Sequence, residues 1–152
     1  MDKKRYLIEQ ISKTNKKNYE NYIVTRIIHL LNDSTVKVVT QQYVRRSEDT
    51  YALTDLYLPQ IGIHIEIDEG HHHFRKVGDR FVAITPTGRE VNPGEYVQSD
   101  VIREADIVNA TGQPAPKRIS IEGNLDDLNS RIDARIAEIK TAIGHLRTSG
   151  TF

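Results

Sequence analysis

The sequence predicts an α/β domain in which helices flank a mixed β-sheet. Apolar residues recur at helical spacing near both ends of the chain, whereas β-branched and alternating apolar residues dominate between about residues 36 and 68. The predicted order is two helices, three strands, an insertion, and then a helix, a strand and a helix. This order is typical of a layered domain with helices on both faces of its sheet. The 152 residues suit one such domain with a substantial core.

The N-terminal region predicts two helices, over residues 4–12 and 16–32. In the second, apolar residues recur at intervals of three and four, as in a helix with one packed face. These residues are Tyr19, Ile23, Ile27, Leu30 and Leu31. Glu20 lies on an adjacent stripe of the same helix.

Three strands are expected next, over residues 36–44, 51–58 and 61–68. The last two are separated by a turn with Pro59 and Gly62, so they predict a β-hairpin, which we call the motif hairpin. The first strand is rich in β-branched residues. Within it or at its end lie four polar residues, Gln41, Gln42, Arg45 and Arg46.

The C-terminal half predicts an insertion and three further elements. Residues 73–97 form the expected insertion, with a small hairpin that joins residues 81–84 to residues 89–91. A helix is expected over residues 100–110, and a short strand over residues 117–121. The last helix should begin after Asn124, and its apolar stripe runs through Leu125, Leu128, Ile132, Ile136, Ile139, Ile143 and Leu146.

The helix over residues 100–110 has predicted ends and a predicted inner face. Ser99 is expected to cap its first turn, and Gly112 is expected to stop it. Val101, Ala105 and Val108 are expected to face inward.

Composition excludes several classes of protein. The absence of cysteine excludes disulfides and thiolate metal sites, and no run of about 18 apolar residues predicts a transmembrane helix. We therefore expect a cytoplasmic protein with no membrane association. The formal net charge of zero argues against a general nucleic-acid coat protein. It leaves room for a nuclease, because a bound metal neutralises an acidic site.

The motif hairpin carries the residues that point to chemistry. Glu66 and Asp68 are two apart near the end of its second strand, so their side chains project to one face. The paired strand can present Asp55 to the same side. Three carboxylates on one face repel each other unless a cation is present, and carboxylate oxygens favour Mg²⁺ shared with a phosphate. This pattern predicts a phosphodiester-cleaving site.

The alternative is that these acids are solvated at a strand end, as most charged residues are. Two features of the sequence weigh against it. Isoleucines at positions 61, 63, 65 and 67 form one apolar face, which predicts a packed strand whose other face carries His64, Glu66 and Asp68. Three histidines, residues 71–73, follow directly after Gly70.

The arrangement of these residues resembles the PD-(D/E)XK nuclease superfamily, in the branch similar to very-short-patch repair endonucleases. More closely, the chain resembles the N-terminal catalytic domain of AbaSI-type restriction endonucleases, which act on DNA that contains 5-hydroxymethylcytosine or its glucosylated form. The resemblance rests on the segments at residues 19–27, 40–42, 53–60, 64–72 and 103–111.

The resemblance implies a restriction-endonuclease-like fold and an Mg²⁺-dependent DNA endonuclease, with Mn²⁺ as a substitute. It also implies double-stranded DNA as the partner and a homodimer, because cutting both strands takes two sites. Enzymes of this type carry a second, C-terminal domain related to SRA domains that captures the modified base. We expect residues 1–152 to be a single nuclease domain without that second domain.

The resemblance also assigns roles to individual residues. Asp55 and Glu66 are expected to hold the metal ion, and Glu20 to orient a metal-bound water. Asp68 stands where the superfamily usually has a lysine, so His72, with His71 as its alternate, is expected to carry the proton. Contacts with DNA are expected from Gln41, Gln42, Arg45, Arg46, Arg75 and Lys76. Arg103 and Asp106 are expected to form a structural pair rather than to act in catalysis.

Two other functions stay open at this point. A non-catalytic DNA-binding or assembly module could retain the nuclease fold, although it has no need of Asp55 and Glu66 together. A histidine-rich protein of another fold could bind a transition metal through the residues around His72. It would bind Zn²⁺ tightly and cut no DNA.

Overall fold

A computed structural model of the chain describes residues 2–14, 18–68, 74–77, 80–84, 90–91 and 93–152, with side chains described outside residues 69–100. The order of elements is the predicted one, with one additional strand in the insertion. The elements are α1 (Lys3–Ser12), α2 (Asn18–Leu31), β1 (Val39–Arg45), β2 (Tyr51–Leu58), β3 (Ile63–Asp68), β4 (Phe74–Val77), β5 (Arg80–Ile84), β6 (Glu90–Val91), α3 (Pro93–Thr111), β7 (Lys117–Ser120) and α4 (Leu125–Thr148).

The main sheet has four strands in the order β1-β2-β3-β7. β1, β2 and β3 are antiparallel neighbours, and β7 lies parallel to β3. A parallel pair needs a long crossover connection, and here that connection contains the insertion strands and α3. The mixed sheet flanked by helices is therefore confirmed. Strands β4, β5 and β6 form a separate antiparallel sheet.

The core lies between one face of the main sheet and helices α2 and α4. Ile27 of α2 and Ile132 of α4 are fully buried, as is Leu56 of β2. Leu56 pairs with Ile65 across the motif hairpin, so both side chains point into this core. The stripe predicted for α4 is confirmed at five buried positions, Leu128, Ile132, Ile136, Ile139 and Ile143. Asn124 caps this helix in a capping box with Asp127.

The predicted start and inner face of α3 are wrong. The helix begins at Pro93, so Ser99 lies inside it and is not its cap. Proline is favoured in the first helical turn because its fixed φ suits a helix and its missing N–H has no partner there. Val101 is 60% exposed, whereas Ile107 is fully buried and packs with Val44 and Ala52.

The end of α3 follows the prediction. Gly112 has a φ of +64°, and its N–H donates to the carbonyl of Val108. This left-handed conformation is the usual helix stop, and it favours glycine. In the part of the chain that the structure describes, no helix is long and apolar enough to cross a membrane.

Candidate active site

Asp55 and Glu66 lie opposite each other on β2 and β3. Leu56 pairs with Ile65 and Tyr57 with His64, so the next step of the register brings Asp55 to Glu66. The Ile67 N–H donates to Asp55 Oδ2 at 2.8 Å. The Asp55 carboxylate is therefore held against β3, next to Glu66.

Burial gives Glu66 unusual electrostatics. The residue is 6% exposed, and burial is the main cause that raises its carboxyl pKa to about 7. The charge of Asp55 and a hydrogen bond between the two carboxyl groups also raise the pKa of Glu66, whereas Arg103 lowers it. Burial and the neighbouring charge of Asp55 therefore favour retention of a proton by the pair near neutral pH, and a cation that binds there replaces that proton.

Arg103 of α3 reaches both strands of the motif hairpin. Its Nη1 donates to Glu66 Oε1 at 2.8 Å, and its Nη2 donates to the carbonyl of Leu53 at 3.0 Å. The expectation that Arg103 pairs with Asp106 is wrong, because Asp106 pairs instead with Arg46, at 3.1 Å. Arg103 and Ile107 are four residues apart and share one helix face, so burial of Ile107 directs Arg103 toward the hairpin.

Glu20 and Gln41 extend the site toward α2. Glu20 is 3% exposed, and the Gln41 amide donates a hydrogen bond to its Oε1. Thr40 pairs with Leu56 and Gln42 with Thr54, so Gln41 lies opposite Asp55. Gln41 has a φ of +53°, a conformation that costs about 1–2 kcal/mol for a residue with a side chain. This strain lies at the point of β1 that faces the acid pair.

Asp68 ends β3 and is half-buried, and its carbonyl accepts a hydrogen bond from the Ile121 N–H. Among the described residues, no group of three histidine, aspartate or glutamate side chains is placed to hold a metal ion. The described site therefore offers a pair of carboxylates, from Asp55 and Glu66, rather than three.

The residues expected to contact DNA have different environments. Gln42 donates to the Tyr43 carbonyl, and Arg45 donates to the carbonyls of Ser47 and Glu48. Arg46 links the end of β1 to α3 through Asp106. Arg75 and Lys76 lie on β4, but their side chains, like His71 and His72 as a whole, lie outside the described residues.

His64 is a buried residue of β3, on the strand that carries Glu66, and the sequence does not reveal its role. Its Nε2 lies 2.9 Å from Gln113 Oε1 and its Nδ1 lies 2.8 Å from the Thr54 hydroxyl. Gln113 Nε2 donates to the Tyr57 hydroxyl, so its Oε1 is the acceptor and His64 Nε2 carries the hydrogen. Burial lowers the pKa of His64, which keeps the imidazole neutral. The network fixes the hairpin beside the acids.

The donor set of Asp55 and Glu66 fits a hard divalent cation. Both supply carboxylate oxygens, and Mg²⁺ is usually bound by one or two carboxylates together with waters and substrate phosphates. A softer metal would need imidazole or thiolate ligands. The chain has no cysteine, and His64, the described histidine on the strand that carries Glu66, is engaged on both ring nitrogens.

Comparisons with known proteins agree with this fold. Residues 4–141 match the family described as restriction endonuclease PvuRts1 I-like, N-terminal. The structure entitled the 5-hydroxymethylcytosine-specific restriction enzyme AbaSI superposes with a TM-score of 0.66 and 42% sequence identity, over 98% of this chain and 49% of that chain. This chain thus spans about half the length of AbaSI. A search of curated proteins found no match.

The resemblance to AbaSI-type enzymes is therefore confirmed, and so is the restriction-endonuclease-like fold. The match to the family covers both strands of the motif hairpin as well as α3, which together contribute Asp55, Glu66 and Arg103. The chain belongs to the PvuRts1I-like N-terminal restriction endonuclease family.

Proposed function

We propose that this chain is an Mg²⁺-dependent DNA endonuclease domain that hydrolyses phosphodiester bonds. The observation that carries the proposal is the placement of Asp55 and Glu66 opposite each other on β2 and β3, where Glu66 is buried and Asp55 is half-buried. Burying Glu66 beside a second, half-buried acid is unfavourable in a domain whose only task is to fold. It is useful where a divalent cation neutralises them during catalysis.

Asp55 and Glu66 would hold the cation, and Mn²⁺ would substitute for Mg²⁺. When bound, the ion polarises the phosphate and makes water a better nucleophile. The Ile67 N–H fixes the Asp55 carboxylate, and Gln41 fixes Glu20. These contacts preorganise the site before DNA arrives, which is how most electrostatic catalysis is achieved.

The proton carrier is proposed to be His72, with His71 as the alternate. Asp68 occupies the position where a lysine is usual, and an acid cannot supply that positive charge. His72 follows Asp68 by four residues, and a neutral imidazole can accept a proton near pH 7.

The substrate is proposed to be double-stranded DNA with 5-hydroxymethylcytosine or its glucosylated form. AbaSI is described as specific for 5-hydroxymethylcytosine, and 42% identity over nearly all of this chain supports a related substrate. Base selection would come from a second, SRA-like domain that acts with residues 1–152. We propose a homodimer because one site cuts one strand, so cutting both strands takes two sites. We propose a cytoplasmic location because cellular and invading DNA meet there.

The deciding experiment is incubation of the protein with three DNAs of one sequence, carrying cytosine, 5-hydroxymethylcytosine or glucosylated 5-hydroxymethylcytosine. We expect cleavage with Mg²⁺ or Mn²⁺ and none with EDTA. Equal cleavage of all three DNAs would agree with base selection by a second domain, whereas preference for a modified DNA would place base selection within residues 1–152.

The matched variants are Asp55→Ala and Asp133→Asn. Asp133 is a half-exposed acid that pairs with Arg26 on the surface, so its loss should leave cleavage intact. If Asp55→Ala cuts as fast as the parent protein, or if the parent binds DNA without cutting it, the non-catalytic module becomes the better interpretation.

A further inference from the structure

The contact between Arg103 and Glu66 places a positive charge inside the proposed metal site. Arg103 Nη1 lies 2.8 Å from Glu66 Oε1, on a carboxylate that a metal ion would need. The Glu66 side chain is 8% exposed and that of Arg103 is 26% exposed. The acid is therefore enclosed, while part of the guanidinium faces solvent.

Arg103 has an anchor that does not depend on Glu66. Its Nη2 donates to the carbonyl of Leu53, two residues before Asp55 on β2. Each terminal nitrogen of a guanidinium carries two hydrogens in a fixed plane. Arg103 can therefore release Glu66, keep its bond to Leu53, and offer donors to another group beside the acids.

We propose that Arg103 supplies positive charge to this site, where Asp68 stands at the usual lysine position, and that it exchanges Glu66 for DNA phosphate when the divalent cation binds. In the metal-free protein, Arg103 neutralises Glu66. A cation that takes the Glu66 oxygen displaces the guanidinium, which then contacts an oxygen of the phosphate to be cleaved. Arginine suits this role because its planar fork matches phosphate oxygens.

The inference rests on the proposed nuclease function. It predicts that loss of Arg103 changes metal affinity and cleavage rate in opposite directions. Arg103 competes with the metal ion in the free protein but assists the reaction with DNA. Replacing it with the apolar Met should therefore tighten metal binding and slow cleavage. A purely structural Arg103 gives no such divergence, because its loss would loosen the acid pair and weaken both.

The experiment measures both properties in Arg103→Met and Arg103→Gln. Mn²⁺ binding is titrated by calorimetry at pH 8.5 without DNA, and single-turnover cleavage is measured at saturating Mg²⁺. We expect metal affinity to rise up to about fivefold, as for release of a partly exposed ion pair. We expect cleavage to fall by about 10²-fold, as for loss of one transition-state donor.

Arg26→Met is the matched control. Arg26 is 27% exposed and donates to Asp133 at 3.0 Å, so it resembles Arg103 in exposure and bonding, but it joins α2 to α4. Both measurements should stay within twofold of the parent protein.

Three outcomes would overturn the inference. The first is an Mn²⁺ affinity of either Arg103 variant that equals or falls below that of the parent protein. The second is a cleavage rate of the Arg103 variants within a few-fold of the parent rate. The third is a change in Arg26→Met as large as the change in the Arg103 variants. If Arg103→Met does not fold, the polar Arg103→Gln variant decides. If the parent protein binds Mn²⁺ but cuts no DNA, the proposed function is refuted instead. The binding titration then still tests whether Arg103 and the metal ion compete for Glu66.

Discussion

The raised pKa of Glu66 predicts an unusual dependence of stability on pH. In the unfolded chain the Glu66 carboxyl has its ordinary pKa of 4.5, whereas in the folded, metal-free protein the pKa is about 7. Between these values the folded protein binds the extra proton. The resulting stabilisation is complete below pH 4.5 and is lost as pH rises through about 7.

The magnitude follows from the two pKa values. At about 1.4 kcal/mol for each pH unit, the gap between 4.5 and about 7 corresponds to about 3 kcal/mol of stabilisation at low pH. Most of this stabilisation should disappear between pH 5 and pH 8. The Glu66→Gln variant should lack this loss, because its amide does not titrate and still offers Arg103 an acceptor.

The measurement is urea unfolding of the parent and Glu66→Gln in EDTA, at intervals from pH 5 to pH 8. Taking the difference between the two proteins removes the contribution of histidines that titrate in the same range. Glu138→Gln is the control, because Glu138 is an exposed acid that pairs with Arg135 on α4. Parallel pH profiles for the parent and Glu66→Gln would refute the reasoning, since they would mean that Glu66 ionises normally.

Three further predictions concern other residues. Burial lowers the pKa of His64, so we expect nuclear magnetic resonance to give a pKa below the ordinary value of 6.5, with the resulting stabilisation lost as pH falls below that value; a pKa at or above 6.5 would contradict the buried network. Ile132→Ala should cost about 3 kcal/mol of unfolding free energy, because Ile132 is fully buried between α4 and the sheet; a urea-unfolding loss below 1 kcal/mol would show that the core relaxes around it. His72→Ala should slow single-turnover cleavage by about 10²–10⁴-fold without changing Mn²⁺ affinity. If the variant cuts within a few-fold of the parent rate, the role of proton carrier belongs to His71 or to water instead.

The sequence predicts the fold well because its periodicities are local. Alternation along residues 63–68 marks both faces of β3, and the spacing of isoleucines after Asn124 marks the buried face of α4. The start of α3 was predicted wrongly because the prediction, too, used only local sequence. Ser99 is a good local cap, but Pro93 provides an earlier start, and only packing against Val44 and Ala52 selects Ile107 as the inward residue.

The sequence predicts the acid pair of Asp55 and Glu66 only in part, because the contacts that set its chemistry are tertiary. The two-residue spacing predicts that Glu66 and Asp68 share a face, but the register of β2 and β3 is what makes Asp55 the partner of Glu66. Arg103 lies 37 residues from Glu66, and no local pattern links them. The segment at residues 103–111 that carries the resemblance begins with Arg103, but nothing in it identifies Glu66 as the partner.

Charge balance links the pH dependence to Arg103 and yields a last prediction. Asp55, Glu66 and Arg103 together carry one net negative charge when both acids are ionised, and Arg103 lowers the pKa of Glu66. Without Arg103 that pKa should rise further, so protons compete more strongly with the metal. Arg103→Met should therefore bind Mn²⁺ more tightly than the parent at pH 8.5 but more weakly at pH 6, with the two affinity curves crossing between these values. Calorimetric titrations across this range measure the crossing. Curves that stay parallel would mean that Arg103 and the Glu66 proton act independently, and would contradict the coupling expected from the 2.8 Å contact between Arg103 Nη1 and Glu66 Oε1.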